Sequence, residues 1–488
     1  MGLINWMFGK RALPASPAPR KRGYQGAQVG RLTASWAASN LSADEEIKRS
    51  LRLLRARCRE RRRNDDYAKR FIGLVKRNVI GSTGIQLQNK ARDMDGTLDK
   101  RANDIIEDRF KRWGKKGSCD VTGRLSWIDA CNLYVETLAI DGEVLVRLVG
   151  NWNRNPDRFA IQFLDSDLLD EDYNAELSNG HRIRMGVEID DWGRAAAYHL
   201  LSAHPSESYV RGTRRYIRVP ASEIIHDFLP ERVNQNRGVP WMASPLLRMH
   251  MLGGYEDAEI TAARIGASKM GFFTRADDGE GYEGEEDSDG AITMDAQPGS
   301  FEQLPAGVKL ESWDPDHPNA NFGTFVKSTL RGIASGLDVS YNALANDLEG
   351  VNYSSIRAGV QEDREAWKAL QAHIIESFCA PVFTAWLNSG LMGGSIGLPP
   401  NKIEKFDAAE WQGRRWDWVD PKKEQDAHSD AVNNRFKSRS QIIRESGRDP
   451  DEVWEEIAQE EAKLRSLGIL PIPTTSKDAV NGNPQEND

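Results

Sequence analysis

The chain has 488 residues, with 65 Lys plus Arg against 73 Asp plus Glu, a net charge of −8 and 39% hydrophobic residues. That length exceeds one small core and predicts two to four structural regions, while the negative balance is unlike a protein whose main work is gripping phosphates, so weak duplex affinity is expected. No run approaches the roughly 18 apolar residues needed to cross a bilayer, the apolar part of MGLINWMFGKRALPASPAPRKR is too short for a secretory signal, and Cys58, Cys119, Cys131 and Cys379 show no paired spacing, which fits a reducing cytoplasm.

Residues 1–45 are rich in Ala, Ser, Pro and Gly and read as a flexible arm. From Lys48 to Arg77 there are thirteen basic residues against Glu60, Asp65 and Asp66, a strongly positive helical region. Two readings of that charge stay open: a phosphate-binding surface, or a helix face that meets an acidic neighbour in an assembly. A helix stop at Gly81 leads into a strand, Ile105–Trp113 predicts a short helix, and Ser126 caps Trp127–Ile140. After the Asp141-Gly142 turn, strands are expected at 143–149, 159–164, 183–189, 195–201 and 216–219, the hairpin DDWGR among them. Asp141, Glu143, Asp165 and Asp167 could form a metal-dependent nuclease cluster, although acidic residues at turns and strand ends are common. His226 and His373 read as packing residues.

A helix beginning near Ala243 carries the small residues Ala258, Ala262, Ala263, Gly266 and Ala267, which let a neighbouring helix approach closely, in the next subunit or within one. Asp277–Asp289 holds eight acidic residues and no basic one and predicts a mobile loop. Short strands are expected at 291–294, 301–304 and 308–313. Residues 324–337 have an amphipathic stripe, and a second long helix starts at Ser354 or Ser355 and is kinked or divided at Pro381. Between them, Tyr341–Asn352 is polar, with too few apolar groups to fix a core, and reads as a protruding loop. Helices are expected at 439–446, with Ser438 and Gln441 spaced as a capping box, and at 450–467, with Pro450 first.

Nothing in the motif inventory points to catalysis. There is no GxxxxGK[ST] loop, no GxSxG and no HExxH, and no histidine stands at ligand spacing from a cysteine. No metal or cofactor is expected. A helix-turn-helix reader at 440–461 fails because Asp451, Glu452, Glu455, Glu456, Glu460 and Glu461 would confront phosphates.

The stretches DGEVLVR at Asp141, ERVNQNRGVPWM at Glu231, AARIGASKMGFF at Ala262, LDVSYNALANDLEGVNYSSIRAGVQEDREAW at Leu337 and WDWVDPKKEQDA at Trp416 together resemble the lambda-type family of tailed-phage portal proteins. The resemblance covers most of the chain, and the acidic run Asp277–Asp289 departs from it. It implies an α+β portal fold assembled as a ring, a dodecamer in the family, at one capsid vertex. The parts would be a mixed α/β wing (46–241), a first stem helix (242–270), a β-containing clip (271–320), a second stem helix (321–340), a tunnel loop (341–352), a long helix returning to the wing (353–408), an α-helical crown (409–470) and a frayed tail (471–488).

The resemblance also implies roles. The tunnel loop would face DNA through Tyr341, Asn342, Leu344, Asn346, Asp347, Glu349 and Asn352, and the small residues from Ala258 to Ala267 would meet the next subunit. Phe301, Val308, Leu310 and Trp313 would dock partners at the clip. Those partners are the terminase large subunit and then the head-tail connector, with the major capsid protein around the ring and no membrane. The ring would sit in the virion after assembly in the host cytoplasm. A 28-residue helix spans about 42 Å, a length of duplex carrying roughly 25 charges, so a conduit should be poor in Lys and Arg if DNA is to slide. The tunnel loop meets that condition with Asp347, Glu349 and no basic residue. The alternatives are a metal-dependent nucleic-acid enzyme and a non-ring capsid component.

Overall fold

The computed structural model describes residues 31, 34–35, 40–209, 215–267, 271–275, 308–312, 321–349, 353–416, 421–446 and 448–468. The arginine-rich stretch forms α1 (Ala43–Lys48), α2 (Leu51–Asn64) and α3 (Asp66–Val75). Asp65 separates the last two with extended backbone, and its side chain caps α3 by accepting from Ala68 N. A π-turn, Lys76–Ile80, continues α3 and stops at Gly81 with φ +74°. After β1 (Gln86–Asn89), α4 (Lys100–Trp113) starts earlier than the apolar pattern suggested, because Asp99 accepts from Ala102 N and caps it there. The Ser126 and Asp129 side chains form a reciprocal capping box at the start of α5 (Trp127–Asp141).

The strand region then runs β2 (Glu143–Gly150), β3 (Phe159–Leu164), β4 (Ala175–Glu176), β5 (Arg182–Arg184), β6 (Val187–Ile189), β7 (Ala195–Leu201), β8 (Tyr216–Pro220) and β9 (Ile224–Phe228). The single strand expected at 183–189 is two, because Met185 and Gly186 adopt positive φ and turn the chain. The strands make an antiparallel sheet β3-β2-β9 and an antiparallel meander β4-β5-β6-β7-β8. Alternation along the central strand β2 sends Val144 and Val146 to the main helical core and Leu145 to a smaller one with Leu169, Tyr198 and Leu200.

Helix α6 (Leu246–Ala267) is followed by the antiparallel pair β10 (Gly271–Arg275) and β11 (Val308–Ser312), then α7 (Phe322–Gly336), α8 (Tyr341–Ala345) and α9 (Tyr353–Ile374). Ser354 and Ser355 therefore lie inside the first turn of α9, not at its cap. A π-turn at Ile375–Cys379 separates α9 from α10 (Ala380–Met392). Pro381 sits in the first turn of α10, and the π-turn takes up the shifted backbone register, the division expected at this proline.

The chain ends with α11 (Ile403–Phe406), β12 (Ala409–Gln412), α12 (Pro421–Asn433), α13 (Arg439–Glu445) and α14 (Pro450–Ser466). Residues 409–412 pair antiparallel with β1 and so belong to the main body; the all-helical part begins later than 409. Only half of the expected box forms at α13: Ser438 accepts from Gln441 N, but the Gln441 side chain donates to Glu445.

The main core is aromatic. Phe110, Trp113, Trp127, Phe378, Phe383, Trp386 and Trp411 interlock from α4, α5, α10, β12 and the second π-turn, with Phe110 and Trp386 centroids 5.1 Å apart and Tyr134 stacked on Phe378 at 4.2 Å. Truncating one of these buried Trp side chains to Ala would cost about 3–5 kcal/mol. All four cysteines are buried and free, and burial pushes the Cys58 and Cys119 thiols up to about 12, away from thiolate chemistry. Among the described residues, no helix is long and apolar enough to cross a membrane.

Candidate functional site

The segment expected as an unsupported loop is largely built in. Tyr341–Ala345 is helical, Leu344 is 1% exposed within the main core, and Asn346 ends the helix in the left-handed region at φ +54°. Leu344 and the partly buried Tyr341 and Ala345 supply the packing that the apolar count understated. Asp363 on α9 accepts from Ser340 N at 3.1 Å and from Ser340 Oγ at 2.6 Å, and Arg70 Nε on α3 donates to Ala343 O at 3.0 Å. Beyond the helix, Asp347 Oδ2 accepts from Tyr341 Oη at 2.7 Å and Oδ1 from Glu349 N at 2.9 Å.

The two carboxylates are not free negative charge. Lys327 of α7 lies 3.4 Å from Asp347 and 2.8 Å from Glu349. The Glu349 amide, then the Tyr341 hydroxyl, hold the Asp347 carboxyl below the usual range. The segment is thus close to neutral, with Asn346, Leu348 and Glu349 exposed, Asn342 half-buried, and Arg331 stacked 5.4 Å over the Tyr341 ring. Asn352 lies outside the described residues.

Helices α6 and α7 pack through Tyr255, whose ring is 4.9 Å from Phe325 and 5.7 Å from Phe322. Close approach within the chain is provided by α7 glycines: a Cβ at Gly332 would collide with Arg248, and one at Gly336 would press on Pro245 at 3.2 Å. Ala258 and Ala263 are exposed and Ala262 half-buried, while Leu247, Met251 and Ile260 expose apolar surface on the same helix. Gly266 and Ala267 complete α6. In the clip region, Val308 and Leu310 sit on β11 opposite Arg275 and Phe273. Phe301, Trp313, the strands expected at 291–294 and 301–304, and Asp277–Asp289 lie outside the described residues.

The acidic residues weighed as a metal cluster are instead the counter-charge of the arginine-rich helices. Arg59 binds both oxygens of Asp141, at 2.7 and 2.6 Å, with Asp165 at 2.9 Å and Asp167 at 2.6 Å. Asp165, Asp167 and His204 could geometrically share an ion, but the Arg59 guanidinium already occupies their carboxylates. Deeper in, Glu143 is fully buried and accepts from Arg55 at 2.8 Å, Arg237 at 2.5 Å, His226 at 3.1 Å and Gly238 N at 3.0 Å. Burial works against its charge, yet Arg237 above all holds its carboxyl far below the usual range. For this face of α2, the acidic neighbour that one of the two open readings placed in an assembly lies in the same chain.

The histidines are structural donors and acceptors. His373 Nε2 lies 2.9 Å from Asp227, which also accepts from the buried Tyr134 hydroxyl at 2.6 Å. Ser377 Oγ approaches the same His373 nitrogen at 3.5 Å, so the ring cannot be oriented by Asp227 through one nitrogen while activating the hydroxyl through the other. Arg237 and Asp227 were not singled out by sequence reasoning; each is one polar residue beside a strand or turn, and only the fold brings it to its partner. At the C-terminal helices, Lys90 reaches the α14 cap Asp449 at 3.5 Å and Lys100 pairs with Glu455, so part of the acidic face of α14 is turned to the main body.

Residues 29–371 match the family model described as "Phage portal protein, lambda family". The solved neck of an empty gene transfer agent particle, computed with C6 symmetry, aligns with 86% of this chain and 99% of its own at 12% identity and a TM-score of 0.42. The "Probable portal protein" of Halomonas phage phiHAP-1 is 40% identical over 482 residues, covering 96% of this chain and 92% of that one. "Portal protein B" of Escherichia phage lambda is 22% identical over 487 residues, covering 92% and 91%. With the family match over most of its length and a near full-length relative at 40% identity, this chain belongs to the lambda family of phage portal proteins.

Proposed function

We propose that this chain is the subunit of a ring, a dodecamer, that forms the DNA channel at one capsid vertex, through which the genome is packaged and later ejected. The near full-length match to a portal protein carries the reading. The partition into wing, paired stem helices, clip, tunnel segment and crown follows the boundaries given above, with the helical crown starting at α12. The clip around β10 and β11 would dock the terminase large subunit and then the head-tail connector, and the wing would face the major capsid protein. The protein works in the virion, is assembled in the host cytoplasm, and has no catalytic role.

The geometry supports a conduit in one respect. A near-neutral segment, its carboxylates paired with Lys327, offers a polyanion neither a grip nor strong repulsion. Electron microscopy of the purified protein should show closed rings with a central hole; monomers or dimers alone across several salt conditions would sink the proposal. Replacing Asp347 and Glu349 by Lys should leave rings intact and slow or stall DNA passage in a packaging assay. Normal packaging by that variant removes the charge argument.

A further inference from the structure

Resting on this reading and deepening it, we propose that a basic cleft along α3 and its π-turn takes the phosphate backbone of duplex DNA beside the 341–349 segment. The cleft, about 650 Å³, gathers Arg62, Lys69, Arg70, Lys76 and Arg77. It adjoins the proposed channel segment directly, since Arg70 also donates to Ala343 O at 3.0 Å. Two carboxylates temper it: Asp66 in its wall, and Glu136 behind it, which holds Arg62 at 2.9 Å and Lys76 at 2.6 Å. Lys69 and Arg77 are exposed and, among the described residues, their side chains make no hydrogen bond or ion pair.

The lining favours a phosphate strand over an acidic peptide. No apolar side chain lines the cleft, and Gly73 and Gly81 contribute backbone to its wall. A peptide would find no pocket for the apolar anchors that carry most protein-protein affinity, whereas phosphates need only cations and hydroxyl or amide groups such as Ser82 and Asn132. From Asp66 to Arg77 the helix rises about 16 Å, the length of roughly five phosphates of one strand. With few uncompensated cations in each subunit, the contact is a salt-sensitive drag and not a lock.

The test is a fluorescence-anisotropy titration of the purified full-length protein with a labelled duplex of about 30 base pairs, between 50 and 200 mM salt. The double variant Lys69→Gln/Arg77→Gln should lower the slope of log affinity against log salt by about 1.8, since each of the two phosphate contacts contributes about 0.9. Arg57→Gln, at an exposed cation of α2 outside the cleft, should leave the slope unchanged. An unaltered slope in the double variant, an equal loss in Arg57→Gln, or competition by polyglutamate as strong as by unlabelled duplex would each overturn the proposal. Electron microscopy of the same samples separates the two levels: rings with an unaltered slope remove the cleft alone, and absence of rings removes the channel beneath it.

Discussion

Glu143 concentrates the polar chemistry of the fold on one side chain. Two guanidiniums, an imidazole and a backbone amide converge on a carboxylate with no exposure to water. Such an arrangement is costly to assemble and costlier to break, because removing one partner strands buried charge. Arg237 also donates to Leu169 O at 2.8 Å and Met185 O at 3.0 Å, tying both sheets to the 231–240 segment. Arg237→Ala should therefore destabilise the protein by about 3–5 kcal/mol, read as a lowered urea midpoint by tryptophan fluorescence; a loss below about 1 kcal/mol would remove this cluster from the stability argument. The sequence displayed every member of it but not the pairing. Asp141, Glu143, Asp165 and Asp167 looked like possible metal ligands because a carboxylate in a sequence does not announce whether its counter-ion is a metal or an arginine many residues away.

At the scale of elements, local rules carried far. The helical period located most of the long helices, and Ser126, Gly81, Pro381 and Pro450 mark boundaries where their backbone chemistry requires. They failed where tertiary contacts decide. The short helix α8 has few apolar residues, but Leu344 and the Asp363 and Arg70 contacts fix it, and none of these is visible in a local window. The joint between α5 and β2 is another such place. Gly142 has φ +82°, and an added Cβ would overlap the backbone of Val239 and Pro240, which crosses over it. Gly142→Ala should cost more than about 3 kcal/mol, combining left-handed strain with displacement of a buried crossing. Soluble expression and thermal melts check this, and a melting temperature within about 1 °C of the parent would mean the crossing is pliable.

For the whole molecule, family resemblance made the architecture legible, while composition alone stopped at a multi-region α+β protein. What neither supplied was how the C-terminal helices seat on the body. Glu107 of α4 lies at that junction, accepting from Asn89 N at 2.6 Å. Burial, with Asp449 and Asp104 nearby, outweighs the opposing Asn89 amide and Lys90 and pushes its carboxyl up to about 7. A raised folded-state value means that its contribution to stability is full below its ordinary value near 4.5 and is lost as pH rises through about 7. Glu107→Gln keeps an acceptor without the charge. Relative to the parent it should gain stability between pH 5 and 8, on the order of 1–2 kcal/mol after allowance for its partial exposure; parallel stability curves for the two proteins would refute this.

The anchoring of α8 has a mechanical corollary. Its start is bolted to α9 through Asp363, its end to α3 through Arg70, and the residues after it to Lys327 and Tyr341. If, as proposed, this stretch lines the bore of a ring, it would act as a rigid finger on a stiff wrist, and the calibre of the bore would be a fixed gauge that rejects a thicker thread and does not stretch to admit it.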